Sequence, residues 1–373
     1  MNVFYNRLQA SSDVENQLAL KQDVADPPST FPSTWYWADQ SFLAKTVSAA
    51  ADRYTLLLPN AMQIDIGGSS YTLSAQATLD LSQEATWDTV SGTDYRTASN
   101  RAGKDFYVYA VQPGSGTVPS FKVSANSTTP TNYTAGNSRK VGGFHCVCVA
   151  AGTISGHPAT GYLAGDIIPN SVWDLKFRSA NGNNAGMAYV AALDIWVDIY
   201  LASGTGASTA SANGATISDT RNWMDFVDDG KAVKKRMLRD FEFQVAAAGS
   251  NEETNISGSA DPGTTGGHSD TTSRRMISDY FLEDCCGALW QWLDEQSTRW
   301  DFTTAWNWYD LPGSKGSLYN GAGPAGTGDV KLLAGGDWAN AAHAGSRARH
   351  AIYSRWFANS YIGGRFAARS ITK

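Results

Sequence analysis

Turn-forming residues cut much of the first half of this chain into short apolar runs. In "YTLLLPNAMQIDIGGSSYTLSAQATLDL" (54–81) the apolar residues come in short runs, broken first by Pro-Asn and then by Gly-Gly. "KDFYVYAVQPGSG" (104–116) alternates as a strand does and stops at a turn. Such runs suit short strands, because side chains alternate between the two faces of a strand and Gly or Pro punctuates them. The chain of 373 residues carries 36 Gly and 13 Trp, with 42% hydrophobic and only 17% charged residues. That balance describes a globular, loop-rich protein with enough length for a sizeable core.

Four stretches follow from this texture. Residues 1–40 form a leader or attachment segment: Leu8, Val14, Leu18 and Val24 make a short imperfect stripe, and "DPPSTFPST" ends any helix. From 41 to 165 the signal is β, closing with "SRKVGGFHCVCVAAG" (138–152), and its spacing suits a β-sandwich. From 166 to 373 the texture is mixed, so the fold class is α+β. "SVWDLKFRS" (171–179) and "MAYVAALDIWVDIYLASG" (187–204) read as strands. "DDGKAVKKRMLRDFEFQVAAAG" (228–249) reads as one amphipathic helix with Met237, Phe241, Val245 and Ala248 on a face and Gly249 as its cap. A long polar loop (250–273), "CCGALWQWLDE" (285–295) and a Trp-rich segment lead to the C-terminal stretch.

Several chemistries lack their residues. The formal net charge of −6 gives nothing to neutralise phosphates, so no nucleic-acid partner is expected. There is no signal-type apolar segment and no stretch near the ~20 apolar residues that span a bilayer, so synthesis in a cytoplasm without membrane insertion is expected. Cys146/Cys148 and Cys285/Cys286 are spaced too tightly for a zinc site and read as buried thiols. The five His residues follow no metal-ligand or catalytic pattern, and neither GxSxG nor a P-loop occurs. No catalytic residue, metal site or cofactor is expected.

The stretch 335–369, "GGDWANAAHAGSRARHAIYSRWFANSYIGGRFAAR", sets large aromatics, His, Ala and Asn in a frame of Gly, Ser and Arg. On periodicity alone, Tyr353, Trp356, Phe357 and Tyr361 make the stripe of a buried helix capped by Gly363-Gly364. The frame itself has another physical reading. Gly335, Gly336, Gly345, Gly363 and Gly364 allow positive φ and close backbone approach. Trp338 offers an apolar body to anchor a loop, and Arg347 and Arg365 offer planar forks of donors for loop carbonyls.

The array "GGDW…AGSR…IGGRFAAR" resembles the variable region of diversity-generating-retroelement proteins, which carry adenine-derived variable positions on a C-type lectin fold. Upstream, "SRKVGGFH" (138–145), "VWDLKFR" (172–178), "WVDIYL" (196–201), "FEFQ" (241–244) and "GALWQW" (287–292) resemble, in order, segments of receptor-binding tail-fibre members of that family. The resemblance covers residues 41–373 and leaves the leader aside. It implies a C-type lectin domain over 166–373, preceded by the β-sandwich. It also implies ligand-binding variable positions at Asp337, Ala339, Asn340, His343, Ala348, His350, Ile352, Tyr353, Phe357, Asn359, Ser360 and Tyr361. Trp356 joins the frame.

The expected partner is a protein or other macromolecular receptor on a target cell, met by a homo-oligomer, possibly a trimer. The expected location is the virion surface at a tail-fibre tip, with display on a cell surface as the alternative. Segments 236–249 and 287–292 also resemble the lectin-type fold of formylglycine-generating enzymes. That chemistry needs soft thiolate ligands in the C-terminal half, and no Cys follows Cys286. The EPN, QPD and WND tripeptides of calcium-dependent sugar lectins are absent as well.

Overall fold

Gly67 and Gly68, with φ of 59° and 84°, close the hairpin of β3 (Met62–Ile66) and β4 (Ser69–Leu73). Two successive positive φ values define the tight turn whose twist matches that of paired strands, and only glycine adopts them without strain. The computed structural model describes residues 44–45, 53–58, 62–298, 306–321 and 329–372. The expected leader, 1–40, lies outside the described residues.

The β-rich region is built as three small sheets. The first joins β1 (Ala44–Lys45), β2 (Thr55–Leu58) and β5 (Ala77–Asp80). The β3–β4 hairpin is the second. In the third, β6 (Asp105–Val111) lies between β7 (Ser120–Ser124) and β8 (Ser138–His145). There Gly142 and Gly143 of β8 pair with β9 (Trp173–Asp174), so this sheet runs past the boundary expected at 165.

The rest folds around two larger sheets. One contains β10 (Phe177–Ser179), β20 (Phe366–Thr372), β12 (Ile195–Asp198) and β11 (Met187–Val190), in that order, with β13 (Arg236–Met237) also on β20. The last strand of the chain thus pairs with three elements made much earlier. The other sheet has the order β15 (Trp306–Asp310), β16 (Ser317–Gly321), β18 (Gly345–His350), β17 (Asp329–Gly335), β14 (Trp290–Thr298), β19 (Ile362–Gly363). Trp196, Trp290, Trp292, Tyr200, Phe243 and Phe366 are fully buried in the core of this unit. Each such side chain contributes about 1.5–3 kcal/mol of burial.

The single helix expected over 228–249 is two. Besides the one-turn α1 (Ala98–Arg101), the chain forms α2 (Trp223–Ala232) and α3 (Asp240–Ala246), with β13 between the latter two. The start of α2 is a capping box: Asn222 Oδ1 accepts from Met224 N at 2.9 Å, and Asp225 Oδ2 accepts from Asn222 N at 3.0 Å. Lys234 then takes a left-handed φ of 57°, which no helix sustains. The reversal puts Lys235 Nζ 2.6 Å from the buried Asp198 carboxylate. Arg236 makes a two-pronged pair with Glu242, 2.6 Å on each side, and Glu242 caps α3. Helical periodicity was thus overridden by two ion pairs. In consequence Phe241, expected on the buried face, is 55% exposed, and Phe243 is buried in its place.

Candidate binding face

The frame of the C-terminal stretch is fastened from within. Gly335 and Gly336, at φ of 96° and 86°, turn the chain out of β17, and both carbonyls accept from Gly287 N at 3.1 Å. Gly345, Gly363 and Gly364 are buried. Trp338 packs, partly buried, against a cluster that includes Leu201, Ile217, Met276 and Leu289, and its carbonyl accepts from Asn255 Nδ2. Arg365, 1% exposed, donates to Gln291 Oε1 at 3.0 Å, to the carbonyls of Asp198 and Ile199 at 2.8 and 2.6 Å, and to that of Glu283. A buried guanidinium can serve loop carbonyls in this way because it carries five donors and no acceptor.

Residues 351–361 form no helix. They run as an irregular loop with two turns, where Phe357 N donates to Ser354 O and Ile362 N to Asn359 O, each at 3.1 Å. The aromatics at helical spacing therefore do not lie along one buried stripe. What holds the loop is its backbone. The carbonyls of Tyr353, Arg355, Asn359 and Tyr361 accept from the amides of Lys331, Trp223, Thr220 and Trp290 at 3.0–3.1 Å, and Ala351 N donates to Tyr319 O at 3.1 Å. Main-chain bonds need no particular side chain, so the loop can keep its course while its side chains change.

The loop's aromatics stack on one another. Tyr353 and Phe357 stack with their rings 3.6 Å apart and nearly parallel at 7°, and His350 also stacks on Tyr353, at 4.5 Å. Tyr353 and Tyr361 share a hydroxyl–hydroxyl bond of 2.7 Å, and burial together with that bond pushes the Tyr361 phenol up. Around His350 lie the rings of Trp290, Tyr319 and Tyr353, at 5.3, 5.4 and 4.5 Å. Its Nδ1 is buried without a hydrogen-bond partner among the described residues, and burial alone lowers the imidazole to about 3. At neutral pH the ring is therefore an uncharged packing element.

Most of the expected variable positions reach one surface. Ala339 is exposed, and Asn340, His343, Ile352, Tyr353, Phe357, Asn359, Ser360 and Tyr361 are half-buried. Others lie beneath it. Ala348 is 0% exposed because it points inward from β18. Asp337 is buried and uses Oδ1 to accept from Ala339 N at 2.8 Å; burial pushes its carboxyl up. His350, also buried, supports the stack from below.

Two frame assignments are corrected as well. Trp356, at the loop's first turn, is 69% exposed and belongs to the displayed surface. Arg347 is exposed, and among the described residues its side chain donates to Pro312 O, at 3.1 Å. The fastening expected of it falls to Arg349, which is buried and donates to Asp240 Oδ1 and to the carbonyls of Ser346 and Ala348.

The Trp-rich segment contributes a part that sequence reasoning left without a role. Trp308 of β15 stands opposite Tyr319 of β16, Tyr319 opposite His350 of β18, His350 opposite Leu333 of β17, and Leu333 opposite Trp292 of β14. One row of large side chains thus crosses five strands. Trp308 also stacks on His343 at 4.1 Å and 1°. The signal was present in "WNWYD", where Trp306 and Trp308 alternate as strand neighbours on one face do.

A loop of interaction-prone side chains, held through its backbone over a mixed α and β core, defines a display scaffold. The four buried cysteines are free thiols, and among the described residues no cluster of His, Cys, Asp or Glu could hold a metal. Residues 61–174 match the family model described as the Mtd second domain. The chain is 30% identical over 288 residues to the tail fiber receptor-binding protein of Bordetella phage BPP-1, covering 71% of this chain and 70% of that one. Solved structures of the U1 and M1 variants of the Major Tropism Determinant superpose with a TM-score of 0.67 at 24% identity, over 90% of this chain and 84% of theirs. The fold is thus the α+β, C-type lectin fold. The chain belongs to the major tropism determinant family of tail-fibre receptor-binding proteins.

Proposed function

We propose that this chain is the host-attachment protein of a phage, carried on the virion surface and binding a macromolecular receptor on the target cell through the loops at 337–343 and 351–361. It acts by binding and not by catalysis. The single observation that carries this reading is the backbone fastening of 351–361, where four loop carbonyls accept from amides of the scaffold. A surface meant to be rewritten needs a course that its side chains do not set. The displayed positions are Ala339, Asn340, His343, Ile352, Tyr353, Trp356, Phe357, Asn359, Ser360 and Tyr361, with aromatics as low-entropy anchors and small polar groups as adaptable contacts. Asp337, Ala348 and His350 shape the surface from beneath.

The diversification itself is read from the family resemblance: a retroelement would rewrite these codons at adenines. Several sites act together in a homo-oligomer, for which a trimer is the proposed state, because linked weak sites gain roughly 10²–10⁴ in apparent affinity. The test joins genome to protein. A neighbouring reverse-transcriptase gene and a template repeat differing from codons 337–361 only at adenines are expected. Chains carrying the alternative residues at the exposed and half-buried positions should still fold and should adsorb to different host strains. A repeat differing at other bases, or recoded chains that all keep the same host, would overturn the reading.

A further inference from the structure

The hairpin of β15 and β16 lies outside the rewritten stretch, yet its rings meet the displayed ones. Trp308 stacks on His343 at 4.1 Å, Tyr319 lies 5.4 Å from His350, and Trp306 stacks on Tyr319 at 6.1 Å. The two halves therefore pack as one unit, joined through the half-buried His343 and, beneath the surface, through the buried His350. Its chemistry is uniform. Arg355 is the only charged residue between 351 and 361, and "WNWYD" and "SLYNG" carry a single charge, Asp310.

Resting on the binding-face reading above, we propose that Trp306, Trp308 and Tyr319 form a constant aromatic wall of that face. The wall takes an uncharged apolar segment of a protein receptor, and the loop at 351–361 reads what surrounds that segment. A protein segment is favoured over a sugar by how the rings are turned. Tyr353 stacks with His350 and with Phe357, and Trp308 lies flat on His343. The faces stacked on one another are not free for a sugar ring, and the large exposed ring, Trp356, lies on the loop and not on the wall. A sugar ring needs an aromatic face to lie on. Large, rigid rings at the centre of a patch are also where protein interfaces concentrate their affinity.

The full chain, immobilised, is panned with a random peptide library, and in parallel with a panel of neutral oligosaccharides. Enriched peptides should be uncharged and rich in apolar or aromatic residues, and their binding should survive high salt. Trp308→Ala and Phe357→Ala should each weaken it about 10- to 100-fold, the range of an interface anchor. Trp308→Phe should restore most of the loss, and Tyr319→Ala replaces Trp308→Ala as the loss variant should Trp308→Ala fail to melt as a folded protein. Loss with Phe357→Ala but none with the Trp308 variants, Trp306→Ala or Tyr319→Ala overturns the wall and leaves the loop reading intact. No loss with either group overturns both. Enrichment of charged peptides, capture of oligosaccharides alone, or no enrichment at all overturns the assignment of the partner.

Discussion

Arg365 Nε lies 3.0 Å from Gln291 Oε1, and Gln291 in turn donates to the carbonyl of Cys285 at 2.9 Å. The pair ties the segment after the display loop to the strand beneath it and to the turn before that strand. Removing the guanidinium strands Gln291 Oε1 and the carbonyls of Asp198 and Glu283 in the core, while Ile199 O keeps the amide of Glu283 at 2.8 Å. At about 1–3 kcal/mol for each unsatisfied buried group, Arg365→Ala should cost at least about 3 kcal/mol. Urea denaturation measures it. A cost within about 0.5 kcal/mol of zero would mean that the loops hold themselves.

The exposed Arg347 and Trp356 should behave oppositely to Arg365. Arg347→Ala and Trp356→Ala remove exposed side chains and should each change stability by no more than about 0.5 kcal/mol. Melting curves of the two variants beside Arg365→Ala separate fastening from display. A large loss in Trp356→Ala would return that residue to the frame.

Truncating the stack should cost energy without moving the loop. Phe357→Ala gives up one ring of a close stacked pair, worth about 0.5–1.5 kcal/mol beyond its buried area. The amides of Trp223, Lys331, Thr220 and Trp290, which hold the loop carbonyls, should keep their slow hydrogen exchange. Loss of protection at these four amides would show that the side chains, not the backbone, set the loop's course.

Acid should weaken the native state through His350. Its pKa lies near 3 in the folded chain, against about 6.5 when unfolded. As pH falls below about 6.5 the unfolded chain takes up a proton that the native chain refuses. This contribution is therefore complete above that pH and declines toward pH 3, by a few kcal/mol in all. His350→Phe keeps a flat ring and should remove this component, flattening the melting temperature between neutral pH and pH 4. An unchanged slope would place the acid sensitivity elsewhere.

The thiols should be inert while the protein is folded. Burial raises Cys146, Cys148, Cys285 and Cys286 above the ordinary thiol range, which leaves little of the reactive thiolate. A thiol-specific reagent should titrate none of them in the native protein and all four in guanidinium. Rapid labelling of any one in native buffer would contradict the burial.

Strand-forming segments were legible because alternation and glycine turns are local signals, and the Gly67-Gly68 hairpin lies where its dipeptide put it. The break in the 228–249 helix was not, since it depends on Lys235 meeting Asp198 and Arg236 meeting Glu242. For the same reason sequence alone named Arg347 where Arg349 does the fastening: the two stand i and i+2 on β18, which alternation cannot tell apart, and it is Arg349 that meets Asp240 of α3. The frame resemblance found the loop, while depth within it was set by the sheet. Ala348 and His350 lie on strand β18, and Trp356 lies on the turn beyond it.

Strand β20 follows the display loop in the chain and supplies the partner of β10, β12 and β13. A stop codon or a shifted reading frame anywhere in 337–361 would therefore delete or scramble the strand that joins β10, β12 and β13 into one sheet. Such products should fail to fold and be cleared by proteases instead of competing for places on a particle. Copying errors that preserve the frame pass through to the surface; those that break it are eliminated by the scaffold's own inability to close.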